Sequence, residues 1–125
     1  MKIQILPLVT GAQKATGLTV IIDVFRAFSL EAYMYASGAK KVIPVKTVED
    51  ALALKKENPS YILVGERKGI KVEGFDYGNS PSEFVGVDLS GKTLIHTTSA
   101  GVLGLASAVS ASQIVTGALV NAKAT

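Results

Sequence analysis

The chain has 125 residues, a length typical of a single domain with a substantial hydrophobic core. Apolar residues make up 48% of it and charged residues 18%, which excludes an intrinsically disordered chain. The net charge of +3 comes from scattered Lys and Arg residues, a pattern that disfavours nucleic acid as a partner. Cysteine is absent, so disulfide bonds and thiolate chemistry are excluded, and the composition suits the reducing cytoplasm.

Strand-like and helix-like patterns alternate along the first half of the chain. Lys2–Leu6 is predicted to form a first strand, and the nearly all-apolar Leu18–Ile22 a central, buried parallel strand. A helical pattern extends over residues 26–37, and its predicted buried side consists of Phe28, Leu30, Tyr33, Met34 and Ala36. The next predicted elements are a strand at Val42–Val45, a helix that Thr47 caps and that runs to about Glu57, and a strand at Tyr61–Val64.

The alternation continues after a long glycine-rich segment, residues 65–80, which is predicted to be a functional loop. Successive strand and helix units predict an α/β fold, with three α/β/α layers built on a mostly parallel sheet. We expect residues 1–125 to form a single domain. The remaining predicted elements are a helical turn at Pro81–Phe84, a strand at Lys92–His96, a helix at Ala100–Val109 and a strand at Gln113–Thr116.

Two apolar segments resemble membrane signals. Met1–Val9 is short and interrupted by polar residues, so a first strand is the better interpretation. Residues 94–120 are long enough to span a bilayer, but their Ser, Thr and Gly content favours a buried helix followed by a buried strand. No membrane is therefore expected as a partner. Asn121 has the character of an N-cap, so a further helix is expected to begin there and the chain to be the N-terminal part of a longer protein.

Polar side chains follow the predicted strands at the sheet edge where ligands bind in open α/β folds. Asp23 comes after four apolar residues, where an ionised carboxylate is costly unless it is paired, hydrogen-bonded or bound to a metal. Arg26 is close enough in sequence to pair with it, so a helix-capping Asp with a salt bridge is one interpretation. The functional interpretation of Asp23 is a metal ligand, a general acid or base, or a nucleophile, and these alternatives stay open.

A second polar cluster, Glu66 and Arg67, follows the strand predicted at Tyr61–Val64. Oxygen ligands suit hard cations such as Mg²⁺, which proteins usually hold through one or two carboxylates plus water and substrate. The segment Gly74–Pro81 is also compatible with an ordinary turn-rich loop. It adds three polar candidates to the cluster, namely Asp76, Asn79 and Ser80.

Three hydroxyl residues, Thr97, Thr98 and Ser99, stand before the helix predicted to begin near Ala100. Hydroxyls and free N–H groups at a helix N-terminus favour anions, although a simple N-cap by Ser99 is the alternative explanation. His96 is the only histidine and lies within a predicted strand, so it is interpreted as a structural polar residue.

Residues 86–93, Gly-Val-Asp-Leu-Ser-Gly-Lys-Thr, match the phosphate-binding pattern G-x-x-x-x-G-K-[ST]. That mechanism requires a strand before the loop and a helix after it, so that the helix N-terminus faces the phosphates. Here the order is reversed. The segment is therefore predicted to be a turn that enters a strand, which disfavours a P-loop NTPase.

Several segments resemble the 2-phosphosulfolactate phosphatases of coenzyme M biosynthesis and their bacterial relatives. The most specific are Gly-Glu-Arg-Lys-Gly at residues 65–69 and Gly-Phe-Asp-Tyr-Gly-Asn-Ser-Pro at residues 74–81. The chain departs from the family in having Ala100 where an Asn is common, and in being about half as long, so this chain alone is expected to be inactive. The other similar segments are Ile22–Ser29, Gly38–Lys40, Ile43–Val45, Thr97–Gly101 and Gly117–Ala122.

The resemblance implies Mg²⁺-dependent hydrolysis of a small anionic phosphomonoester, with sulfolactate and phosphate as products. It implies a catalytic group of Asp23, Arg26 and Arg67, with both arginines suited to phosphate or sulfonate. Glu66 and Asp76 are the implied metal ligands. Association of copies into a homo-oligomer is a further expectation, and a non-catalytic anion-binding α/β module is the alternative function. The implied substrate-binding residues are Asn79, Ser80, Thr97, Thr98 and Ser99.

Overall fold

The structure is a computed structural model that describes residues 1–125 as alternating helices and strands, so the predicted α/β fold is confirmed. The helices are α1 (Leu8–Ala12), α2 (Ala27–Ala36), α3 (Val48–Glu57) and α4 (Gly101–Ser107), with 3₁₀ turns at Pro81–Phe84 and Leu119–Asn121. The strands are β1 (Gly17–Ile22), β2 (Lys41–Pro44), β3 (Ile62–Arg67), β4 (Ile70–Lys71), β5 (Thr93–Thr97) and β6 (Ala111–Gly117).

The strands form two separately hydrogen-bonded sheets. β1 pairs with β6 in parallel, and the larger sheet has the order β2-β5-β3-β4. All pairs are parallel except the short β3–β4 hairpin. Parallel strands therefore dominate, as expected, although they are divided between two sheets.

Helices α2 and α3 pack on opposite faces of the larger sheet. Leu94 belongs to the apolar cluster that contains Leu30 and Met34 of α2, whereas its neighbour Ile95 packs with Ala51 of α3. Successive side chains of a strand point to opposite faces, so each helix covers one face of the sheet. A third cluster joins α2 to α4 through Phe28 and Val102.

The predicted first strand is wrong. Residues 2–6 form no regular element and pair with no strand, and Ile3 and Ile5 are exposed. A segment forms a strand only where a partner satisfies its backbone groups, and the chain instead begins α1 at Leu8, directly after Pro7.

The prediction that Leu18–Ile22 is a fully buried strand is also wrong. β1 has its only partner in β6, and its outward side chains Leu18, Val20 and Ile22 are 68%, 44% and 71% exposed. The opposite face is partly covered, because Ile21 packs against the α2–α4 cluster. An apolar, β-branched run thus marks a strand here without marking burial on both faces.

Smaller expectations also differ from the structure. Tyr33 and Ala36 of α2 are exposed rather than buried. The Asn121 side chain points back along the chain, since its Oδ1 accepts the N–H of Ala118 at 2.7 Å, while its carbonyl accepts the N–H of Thr125 at 2.9 Å. The segment at residues 86–93 leads into β5 rather than into a helix, so the geometry of a phosphate-binding P-loop is absent. None of the helices combines the length and apolar composition required to cross a membrane.

The exposure of β1 can be tested with two identical substitutions. Leu94→Ala empties a fully buried position in β5, so we expect the free energy of unfolding to fall by about 3 kcal/mol. Leu18→Ala removes a largely exposed side chain and is expected to cost less than about 0.5 kcal/mol. Denaturant unfolding of both variants measures the difference. Equal losses would show that the outer face of β1 is covered in solution.

Candidate active site

A polar cavity of about 230 Å³ lies where the carboxyl ends of β1, β3 and β5 converge. Two carboxylates, Asp23 and Glu66, line it together with two cationic side chains, Arg26 and Lys68. The structure therefore brings Asp23, Arg26 and Glu66 to one place, as predicted. The hydroxyl and amide side chains that complete the polar wall are those of Asn79, Thr98 and Ser99.

Asp23 is held at the end of β1 by backbone contacts on both sides. Its N–H donates to the carbonyl of Gly117 at 3.1 Å, which continues the β1–β6 ladder by one step. Gly101, at the start of α4, approaches so closely that a Cβ atom there would lie 2.4 Å from Asp23 Oδ2 and 2.7 Å from the Cβ of Ala27. Only glycine fits this contact, so residue 101 sets how closely α4 packs against Asp23.

Burial raises the pKa of the Asp23 carboxyl group above its ordinary value, and the negative charge of Glu66 acts in the same direction. Arg26 lines the same cavity but forms no ion pair with Asp23, so the salt bridge of the helix-capping interpretation is absent, whereas the N–H of Ala27, the first residue of α2, donates to the Asp23 carboxyl group. No side chain of opposite charge therefore pairs with Asp23. The backbone N–H groups that oppose the rise in the pKa of Asp23, by hydrogen bonding to its carboxyl group, are those of Ala27, Gly101 and Phe25.

Glu66 is a buried carboxylate with several hydrogen bonds. Its Oε1 accepts the N–H of Ser99 at 2.6 Å, and its Oε2 accepts the N–H of Gly69 at 2.7 Å and the hydroxyl of Ser99 at 3.1 Å. Burial alone raises the pKa of Glu66, but these hydrogen bonds and the charge of Arg67 outweigh it and leave the pKa below its ordinary value. Glu66 is therefore ionised and fixed in position.

A two-residue turn, which the sequence analysis missed, lies inside the predicted loop. Lys68 and Gly69 connect β3 to β4 with φ of +53° and +80°, both in the left-handed region. The N–H of Lys68 donates to Ser99 Oγ at 3.1 Å, and Lys68 lines the cavity. A glycine in second place after a strand-like run is the signal that predicts this type of hairpin turn.

Arg67 lies outside the cavity. Its guanidinium donates to the carbonyl of Glu66 at 2.7 Å, to the carbonyl of Lys46 at 3.2 Å and to Thr97 Oγ1 at 2.8 Å. These acceptors lie at or just beyond the carboxyl ends of β3, β2 and β5, so Arg67 fixes the three strand ends relative to one another. A catalytic role for Arg67 stays a prediction.

The three hydroxyl residues after β5 have three different roles. Thr97 is buried and accepts from Arg67. Thr98 Oγ1 accepts the N–H of Val102 at 3.0 Å, so Thr98 rather than Ser99 satisfies a free N–H group in the first turn of α4, whose N-cap residue is Ala100. Ser99 binds Glu66 and lines the cavity.

Asp76 is not brought to the cavity. Its Oδ2 accepts the N–H of Leu63 at 2.8 Å, near the start of β3. Glu66 lies three residues further along this strand, about 10 Å away in an extended chain. The predicted pair of metal ligands, Glu66 and Asp76, is therefore separated along β3, because the loop after β4 returns alongside the beginning of the strand.

The other two loop candidates also differ in position. Asn79 is buried, lines the cavity, and has its Oδ1 3.4 Å from Nε2 of His96. Ser80 does not line the cavity. Its N–H donates to Oε1 of Glu83 at 3.3 Å and its hydroxyl pairs with that of Ser82, so it belongs to the start of the 3₁₀ turn.

His96 is fully buried in β5, and burial lowers its pKa to about 4, against a weaker opposing effect of the Glu66 charge. The imidazole is therefore neutral at physiological pH. Its burial and its contact with Asn79 agree with the structural interpretation.

The comparison with known proteins concerns nearly the whole chain. A family model described as 2-phosphosulpholactate phosphatase matches residues 5–125. The chain belongs to this family.

Three curated relatives within the family carry the name probable 2-phosphosulfolactate phosphatase. The protein of Carboxydothermus hydrogenoformans is 48% identical over 105 residues, which cover 84% of this chain and 43% of that protein. The Clostridium tetani protein is 46% identical over 84% of this chain and 46% of its own length. The Bacillus subtilis protein is 39% identical, with coverages of 86% and 47%. The chain thus spans less than half the length of these relatives.

Gly101 and Gly104, both in α4, provide a matched test of the close contact at Asp23. Gly101→Ala places a methyl group against Asp23 Oδ2, so we expect the free energy of unfolding to fall by about 1–3 kcal/mol. At Gly104 the nearest atom to a new Cβ is Ile21 Cγ2 at 3.7 Å, an ordinary contact. Gly104→Ala is therefore expected to be neutral or stabilising by up to about 1 kcal/mol. The free energy of unfolding of both variants can be measured by thermal and denaturant unfolding. Equal changes in the two variants would contradict the close contact at Asp23.

The buried His96 predicts a loss of stability in acid. Below its ordinary pKa of 6.5 the unfolded chain binds a proton at this residue, whereas the folded chain does so only near pH 4. The unfolded state thus binds more protons between these values, so stability falls as the pH falls, by up to about 3 kcal/mol. In denaturant unfolding at a series of pH values, the free energy of unfolding is expected to fall less in acid for His96→Gln than for the unchanged protein. Identical pH dependence in the two proteins would refute the prediction.

Proposed function

We propose that this chain carries the active site of a Mg²⁺-dependent phosphatase that acts on a small phosphomonoester, 2-phosphosulfolactate, and releases sulfolactate and phosphate. The observation that carries the proposal is the pair of carboxylates, Asp23 and Glu66, in one cavity with Arg26 and Lys68. The names of the family and of its curated relatives support the choice of substrate.

The residues present fit a magnesium ion. Asp23 and Glu66 offer only oxygen donors, and the charge of Glu66 raises the pKa of Asp23, so a cation between them would relieve a repulsion. Glu66 Oε2 already accepts two hydrogen bonds and Oε1 one, which leaves Asp23 as the principal ligand. No group of three or more His, Asp or Glu residues that could hold a metal occurs. Mg²⁺ typically needs only one or two carboxylates, with water and substrate phosphate completing its shell.

The side chains around the carboxylates would bind and orient the substrate. When bound, Mg²⁺ polarises a phosphoryl oxygen and neutralises negative charge. The guanidinium of Arg26 suits the phosphoryl group, because its planar fork of donors matches two oxygens of a phosphate. Asn79 directs its Oδ1 to His96, which leaves its amide N–H groups available as donors to the cavity. Ser99 acts indirectly by holding Glu66.

Two predictions concern the protein as a whole. The absence of cysteine agrees with a cytoplasmic protein. The exposed outer face of β1 agrees with association into a homo-oligomer. Both remain part of the proposal.

Asp23→Asn and Asp76→Asn test the proposed site with the same chemical change. Asp23→Asn removes one of the two carboxyl groups of the cavity and is expected to lower turnover of 2-phosphosulfolactate by ~10²-fold or more. Asp76→Asn keeps an oxygen that can accept the N–H of Leu63, so we expect turnover within about threefold of the unchanged chain. Phosphate release with added Mg²⁺ and with a chelator is the measurement.

The outcomes separate the possible roles. Unchanged turnover in Asp23→Asn would remove Asp23 from the mechanism, and a loss in Asp76→Asn would return that residue to the site. In the full-length protein, binding of sulfolactate without phosphate release, with or without Mg²⁺, would favour the anion-binding module instead.

A further inference from the structure

We propose that Lys68 is a specificity-determining residue, whose ammonium group binds a second, non-reacting acid group of the substrate, a sulfonate or a carboxylate. This inference rests on the proposed phosphatase function. It assigns to the cavity a class of substrates, small phosphomonoesters that carry at least one further acid group.

Only some of the basic residues near the cavity are free to bind a ligand. Of the two arginines predicted to be catalytic, Arg67 is engaged by the three strand-end acceptors and does not line the cavity. The cationic side chains that do line it are Arg26 and Lys68. The hydrogen bond of Lys68 involves only its backbone N–H, so its ammonium group remains available to a ligand.

The backbone of Lys68 has an unusual conformation. Lys68 lies in the left-handed region at φ +53°, which costs a residue with a side chain more than it costs Gly, Asn or Asp. A two-residue turn of this type favours those residues at its first position as well. A lysine at this position therefore has no advantage for the turn itself, and strained residues of this kind occur disproportionately at ligand sites.

The β3–β4 turn is fixed to the carboxylate side of the same cavity. Ser99 Oγ accepts the N–H of Lys68 and donates to Glu66 Oε2, while the N–H of Gly69 donates to that same oxygen. The backbone of Lys68 is thus positioned by the residue that also positions Glu66. Its flexible side chain extends from a fixed point at the edge of the cavity.

The two cations suit different acid groups. A guanidinium binds a phosphate through two parallel hydrogen bonds, whereas an ammonium is a compact point charge on a flexible stem. We therefore assign the phosphoryl group to Arg26 and the second acid group to Lys68. The cavity, at about 230 Å³, is smaller than the ~300–1,000 Å³ sites of drug-sized ligands, which favours a substrate with few atoms.

The test compares three phosphomonoesters with a three-carbon skeleton. 2-Phosphosulfolactate has a carboxylate and a sulfonate, 2-phospholactate has only the carboxylate, and glycerol 2-phosphate has neither. In Lys68→Met we expect KM for 2-phosphosulfolactate to rise about tenfold or more with kcat within about threefold, the size of one lost charge-assisted hydrogen bond. KM for glycerol 2-phosphate is expected not to change, and Lys68→Arg is expected to restore most of the lost affinity.

Lys92→Met is the matched control, because it removes one positive charge from an exposed lysine just before β5, at the opposite end of that strand. It is expected to leave all three KM values unchanged. Calorimetric titration with sulfolactate gives a second readout that requires no turnover. Lys68→Met is expected to weaken this binding by a similar factor, and Lys92→Met is not.

The results separate this inference from the proposed function. An equal change in KM for all three esters, no change for any of them, or sulfolactate binding that does not depend on Lys68 would overturn the assignment while leaving the phosphatase activity intact. In the full-length protein, sulfolactate binding that depends on Lys68, without phosphate release from any ester, would support the assignment and refute the phosphatase function.

Discussion

The arrangement of the cavity depends on one interaction, the hydrogen bonds between Ser99 and Glu66. Ser99 follows β5 and Glu66 lies in β3, so the pair joins the carboxyl ends of two neighbouring parallel strands. An ionised carboxylate with so little exposure to water is tolerated only because its oxygens accept several hydrogen bonds. The same serine fixes the β3–β4 turn through Lys68, so the carboxylate and a cation of the cavity share one support.

The two neighbouring basic residues of the β3–β4 hairpin, Arg67 and Lys68, occupy different surroundings. Arg67 uses the several donors of its guanidinium to bind carbonyl and hydroxyl oxygens from three strand ends, a task that a single ammonium group does less well. Lys68, one residue later in the turn, lines the cavity and uses only its backbone N–H in a hydrogen bond, to Ser99. The sequence pointed to Arg67 as a cation of the site and gave Lys68 no role, and only the turn geometry reverses that assignment.

Local patterns predicted much of the fold because they report local physics. The cap at Thr47, the extent of α3 and the turn at Pro81–Phe84 follow from side-chain hydrogen bonding and the fixed φ of proline. The exposure of the outer face of β1 was not predictable, since it depends on which elements lie beside the strand. Asp23 and Glu66 were correctly placed together because parallel strands end at a common edge. The position of Asp76 depends on the path of a sixteen-residue segment, for which the sequence contains no local signal except the glycine of the hairpin turn.

The two carboxylates of the cavity belong to different sheets. Asp23 extends the β1–β6 sheet, whereas Glu66 ends a strand of the larger sheet, and no backbone ladder joins the two. On adjacent strands, inter-strand hydrogen bonds would hold two such groups at a spacing of about 4.8 Å. Here the spacing is set by side-chain packing between α2 and α4 and by the contact at Gly101. Both carboxylates nevertheless accept N–H groups of one short segment, Glu66 that of Ser99 and Asp23 that of Gly101, so residues 99–101 form a bridge that couples the two sheets at the cavity.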